Sequence, residues 1–236
     1  MIGGIRFEHT HRVIAGAVGI LTFILAALIL KIEKRGWVKK LGLLASGMVF
    51  LQAVLGGLTV IYLLPKPVSV AHACLGQTFF SLIAVLSLVT SKAWFSGQKN
   101  NSPLTGQCQR LALITSVFVY TQLILGAVVR HTGAVLPWHI GVAFLVLLHA
   151  LLTTLKISAL ENDSNRLTRH ALVMGAFVFC QIFLGVGAYY FTRLLEKSSV
   201  PRTAEVLFTT AHQSLGALIL ALSMTLTLRT FRFLSR

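Results

Sequence analysis

Five residues, Glu8-His9-Thr10-His11-Arg12, stand directly before an uncharged apolar run from Val13 to Leu30. Ionisable groups at the mouth of a membrane helix are costly to place, so the cluster marks a candidate site. A histidine recurs at His72, His139 and His212, each at or near the start of another apolar run. A neutral imidazole offers a nitrogen lone pair to a metal. Two imidazoles on facing helices, above and below an iron, hold a b-type haem where small residues leave room for the ring. One pair per half follows from their order, His11 with His72 and His139 with His212. Any one of them alone reads more simply as an interfacial histidine satisfied by water or backbone. Four at repeated positions favour two bis-histidine haem sites.

The elements that position these residues are long and apolar. The chain has 236 residues, 56% of them hydrophobic and 11% charged, with a mean hydropathy of +0.81. This composition excludes an ordinary soluble domain. A membrane helix needs about 20 mainly apolar residues. The stretches Val13 to Leu30, Leu41 to Leu64, Val68 to Ser91, Leu111 to Val129, His139 to Leu155, Ala171 to Thr192 and Val206 to Leu228 qualify. Backbone groups in lipid must be satisfied within the segment, which favours helices. The expected fold is all-α, a polytopic membrane protein of seven transmembrane helices forming two repeated haem-binding bundles.

The formal charge of +15 does not point to nucleic acid, because the basic residues fall in short clusters between apolar runs. They read as a topology signal. Lys31, Lys34, Arg35, Lys39, Lys40, Lys92, Lys99, Arg110, Lys156, Arg166, Arg169, Arg229, Arg232 and Arg236 fall on one side. Arg6, Arg12, Lys66, Arg130, Arg193, Lys197 and Arg202 fall on the other. The richer side is expected inside, leaving the N-terminus outside and the C-terminus cytoplasmic. The first apolar run is too long for a signal peptide core and its front lacks a basic region, so no cleavable signal is expected. Cys74, Cys108 and Cys180 are far apart with no C-x-x-C, so neither zinc, a disulfide nor covalent haem attachment is expected.

An internal repeat organises the helices. The pattern Q-x-x-L-G occurs at Gln52 to Gly56, Gln122 to Gly126 and Gln181 to Gly185. Its glycine permits close approach of a backbone or a flat ligand, and its glutamine needs a partner inside the bundle. His11 precedes Gln52 by 41 residues and His139 precedes Gln181 by 42, so the first two helices correspond to the fifth and sixth. His72 and His212 complete the correspondence. The fourth helix then has no counterpart in the first half, and a full duplication places one more helix ahead of Met1. The polar loop Ser96 to Gln109 separates the halves. The expected organisation is 1–95 as an amino-terminal half, 96–110 as an inner linker and 111–236 as a carboxy-terminal half.

The halves differ chemically. Glu8 lies three residues before His11, one turn away on a helix, whereas Val135-Leu136-Pro137-Trp138 before His139 contains no acid. A carboxylate beside one haem only separates a reacting site from an electron-transfer site. A helix-end acid paired with Arg12 or Arg6 is the plainer alternative. Arg6, Arg12, Lys66 and Arg130 are placed to meet haem propionates, or simply to anchor the interface. His149 reads as a hydrogen-bonded core residue, His131 as a residue that could touch a haem edge, and His9 and His170 as loop and inner-interface residues.

The segments Ile2-Gly3-Gly4-Ile5-Arg6-Phe7-Glu8-His9-Thr10-His11-Arg12, Gln52-Ala53-Val54-Leu55-Gly56-Gly57 and Gln122 through Arg130-His131-Thr132-Gly133-Ala134 resemble the haem A synthase family. The resemblance runs along essentially the whole chain. It implies a bacterial inner-membrane enzyme that oxidises the C8 methyl of haem O to a formyl group by successive hydroxylations. By the resemblance, His11 and His72 bracket the haem O substrate, His139 and His212 ligate a haem b cofactor, and Glu8 is the catalytic carboxylate. The implied partners are haem O synthase or cytochrome oxidase assembly factors, the lipid bilayer and, as a homo-oligomer, a second copy. The family usually has eight helices, and the missing first helix is the one the repeat places before Met1. Some members carry paired cysteines in the connection matching Arg130 to Trp138, which has none here. Two other classes compete: a diheme b-type electron carrier, in which Glu8 is structural, and a transporter, which needs midplane polar groups that are scarce here.

Overall fold

The computed structural model describes residues 2–161, 166–195 and 203–235, with side chains from Glu8 onward at the amino-terminal end. Its long helices are α1 (Ile2–Ile32), α2 (Gly36–Ile61), α3 (Lys66–Val89), α5 (Thr105–Thr132), α6 (Leu136–Ser158), α7 (Leu167–Tyr189) and α8 (Thr203–Phe233). A short helix α4 (Lys92–Ser96) precedes α5, and a π-helical turn (Tyr190–Leu194) continues α7. Among the described residues, seven helices are long and apolar enough to cross a membrane, as the hydropathy pattern predicts. The chain is an all-α integral membrane protein.

Helix α1 begins well before the apolar run, because Glu8 and Arg12 pair across one turn at 2.6 Å and support helix there. His9 therefore lies on a helix and not in a loop. The expected polar loop after Ser96 is shorter than the composition suggests. Helix α5 starts at Thr105, and Asn100–Asn101 pair in parallel with Leu234–Ser235 as strands β1 and β2.

The chain divides into two compact units, Met1–Thr90 and Ser91–Arg236. In the first, α1 packs on α2 and α2 on α3. The turn between α1 and α2 is clasped by Glu33, whose carboxylate accepts from the backbone nitrogens of Lys34 and Arg35 and from the Arg35 side chain at 2.6 Å. That Arg35 hydrogen bond, above all, pulls the Glu33 pKa down to about 2.

In the second unit α5, α6, α7 and α8 pack in sequence and α8 closes against α5, forming a four-helix ring. Val119, Val146, Met174, Val178 and Leu220 fill its core. Apolar packing gains little when the surrounding lipid is equally apolar, so short hydroxyl bonds carry part of the association. Thr115 meets Thr153 at 2.8 Å between α5 and α6, Thr154 donates to the Ala171 carbonyl on α7, and Ser116 meets Thr227 at 2.9 Å on α8. His170, in the first turn of α7, packs against α8. Its Nε2 lies 3.0 Å from the Leu222 carbonyl and its Nδ1 3.2 Å from the Arg229 guanidinium.

Candidate functional site

In the second unit His139 and His212 come from α6 and α8, which occupy opposite corners of the ring. Val135 adopts a left-handed conformation (φ 60°) just before α6, and its carbonyl accepts from the His139 backbone nitrogen, so His139 falls in the first turn. His212 lies deeper, more than two turns into α8. The two imidazole centroids are 6.3 Å apart with planes at 72°.

The other two helices supply what holds these rings. On α7, Gln181 donates its amide to the His212 carbonyl at 2.9 Å, and its own backbone carbonyl accepts from Nδ1 of His212 at 3.2 Å. On α5, the Gln122 amide nitrogen lies 3.3 Å from Nε2 of His139. Each motif ends in a glycine against which the imidazole lies. A Cβ on Gly185 would stand 3.0 Å from Cε1 of His212, and one on Gly126 3.1 Å from Cε1 of His139. The glutamine and glycine of one motif therefore serve the histidine of the following helix.

The first unit repeats the arrangement once. Gln52 on α2 donates to the His72 carbonyl at 3.0 Å, and a Cβ on Gly56 would stand 3.2 Å from Cε1 of His72. His11 is exposed on α1, the helix that packs on the Gln52 helix α2. Glu8 turns its carboxylate to Arg12, so those two residues serve one another and Arg12 is not directed away from the helix. Lys66 is exposed at the first turn of α3. The side chain of Arg6 lies outside the described residues.

At the histidine end of the ring, Arg130 hydrogen-bonds the amide oxygen of Gln213, the residue after His212. Arg193, which the sequence offered only as one charge among several, comes up from the π turn against Gly133 (φ 77°), where a Cβ would stand 3.2 Å from its guanidinium. Two cations thus stand at this end of the unit. His149 bonds the Leu145 carbonyl at 3.0 Å and packs on Phe118; it is hydrogen-bonded as expected but only half-buried.

The pair in the second unit fits a haem. With a metal–imidazole bond of about 2 Å and a ring centroid about 1 Å behind the ligating atom, opposed imidazoles on one metal stand about 6 Å apart. Nδ1 of His139 is buried without a partner, as are the amide oxygens of Gln122 and Gln181. Among the described residues no cluster of three or more His, Cys, Asp or Glu side chains forms, so bare-metal coordination by protein ligands alone has less to work with than a two-ligand group.

The geometry defines a membrane four-helix bundle with a paired-histidine site. A family model described as "Cytochrome oxidase assembly protein" matches residues 5–139, more than half of the chain, and the chain belongs to that family. The match includes Glu8, His11, Gln52, His72 and Gln122 and ends on His139. Among curated proteins, the chain is 27% identical over 128 residues to a protein named Heme A synthase from Exiguobacterium sp. (strain ATCC BAA-1283 / AT1b). That alignment takes in 54% of this chain and 41% of the relative, so the chain matches about two fifths of the relative's length. No solved structure matches.

Proposed function

We propose that this chain is a haem A synthase, oxidising the C8 methyl of haem O to a formyl group by successive hydroxylation. The observation that carries the reading is the His139–His212 pair at 6.3 Å, each ring backed by a glutamine and a glycine from the neighbouring helix. These residues hold haem b, which supplies one-electron relay chemistry when bound. Arg130 and Arg193 neutralise its propionates.

In the first unit His72, held by Gln52 and Gly56, and His11 bracket the substrate porphyrin. Glu8 is the carboxylate that positions water or takes a proton at the methyl-derived carbon. Its pairing with Arg12 gives this role a condition: a substrate propionate competes for Arg12, and its arrival releases Glu8. The Lys and Arg distribution supports an orientation with the histidine ends outside and the C-terminus in the cytoplasm of a bacterial inner membrane. Haem O synthase or an oxidase assembly factor is the partner that supplies substrate or takes product, and a second copy of the chain is a further partner to test for.

The Glu8–Arg12 pair also favours a second reading, a diheme electron carrier in which Glu8 is structural. The experiment that separates them is purification from a host making haem O, with extraction and mass identification of the haems. Haem A or its hydroxylated precursor in the parent, and only haem O and haem b in Glu8→Gln, supports the synthase. Haem b alone in both sinks it.

A further inference from the structure

Gln122 and Gln181 hold the same place in the repeated motif yet treat their histidines differently. Gln181, like Gln52, spends its amide on the backbone carbonyl of the histidine that follows. His212 is then held through Nδ1 by the Gln181 carbonyl, which leaves the Nε2 lone pair open. Gln122 instead directs its amide to Nε2 of His139, where it occupies the lone pair that a metal would need. Because an amide nitrogen can only donate, Nδ1 of His139 carries the proton; it lies near the Gln122 backbone carbonyl without completing a hydrogen bond to it.

One methyl group accounts for the difference. The residue four positions after His72 is Gly76, and four after His212 is Gly216. A Cβ there would stand 2.9 Å from the Gln52 amide nitrogen and 3.2 Å from that of Gln181, inside ordinary contact distance. Four positions after His139 stands Ala143, which carries that Cβ. The route from amide to carbonyl is closed, and the Gln122 amide turns to the ring.

Building on the haem b reading, we propose that Gln122 is a positioning residue that caps the Nε2 lone pair of His139 in the iron-free bundle and is displaced when iron binds. On loading, iron takes the lone pair and the Gln122 amide keeps its proton. His212 is the preset ligand and His139 the one captured last.

The test titrates haem b into the full-length, iron-free chain carrying His72→Ala, so that the low-spin spectrum reports the second pair. Ala143→Gly reopens the carbonyl to Gln122, and Gln122→Met removes the cap at similar volume. Each should tighten haem b binding by about three- to tenfold, the net worth of one hydrogen bond. Gly216→Ala should weaken it by a similar factor, by pushing the Gln181 amide toward the His212 ring. A purely structural role for Gln122 loosens the bundle and weakens binding instead. The proposal fails if either Ala143→Gly or Gln122→Met binds haem b no tighter than the parent; should Gln122→Met not fold, Ala143→Gly alone decides it. A parent chain with no low-spin bis-histidine spectrum overturns the haem b reading itself, which is a different result from unchanged variants.

Discussion

His139 and His212 face one another across the four-helix ring with their imidazole planes 72° apart. Axial ligands at a wide angle leave the two iron d-orbitals that interact with them nearly equal in energy. Ferric haem b held by this pair should give a strongly anisotropic low-spin electron paramagnetic resonance signal with one large g value. A rhombic spectrum of the kind given by parallel imidazoles would show that the rings turn on loading.

The glycines behind these rings allow no added methyl without movement. Gly185→Ala places a Cβ 3.0 Å from Cε1 of His212, and Gly126→Ala places one 3.1 Å from Cε1 of His139. Overpacking of this kind costs about 1–3 kcal/mol. Alanine also favours helix over glycine by about 1 kcal/mol, so the empty bundle should stay folded while haem b affinity falls about tenfold. Spectral titration alongside thermal melting of the iron-free protein separates the two effects.

Thr115 and Thr153 are fully buried and meet at 2.8 Å. Their coupling in a double-mutant cycle of Thr→Val replacements should be about 0.5–1 kcal/mol in detergent or lipid. No measurable coupling would mean that the hydroxyls find equal partners along their own helices, as Thr115 does with the Leu111 carbonyl.

The Glu33 clasp makes the α1–α2 turn acid-sensitive. Its pKa is lowered from 4.5 to about 2 in the folded chain, so its contribution is fully present above the unfolded value and is lost as pH falls toward 2. Proteolysis near residues 33–35 should rise over that range, and Glu33→Gln should show the raised susceptibility already at neutral pH.

Much of this was legible in the sequence, because apolar length fixes membrane helices and four histidines at their ends are conspicuous. The glutamine and glycine of each motif also stood out, as groups that need a partner. Their partner did not. The spacing from glutamine to histidine is 20 residues for Gln52 and His72, 17 for Gln122 and His139, and 31 for Gln181 and His212, since the connections differ in length. Only packing of successive helices reveals the common clamp. The placement of Arg193 depends on a π turn that no spacing announces. The Glu8–Arg12 pair was one of two readings of the same residues, and it required α1 to begin early.

The most direct measurement is the haem content and reduced-minus-oxidised spectrum of the purified chain beside its His139→Ala, His212→Ala and doubly replaced variants. With His72→Ala carried in every chain so that the first pair contributes no signal, the pair as the haem b site predicts a low-spin b-type spectrum that each single replacement abolishes or converts to high spin. An unchanged low-spin haem b spectrum in the double variant would contradict it.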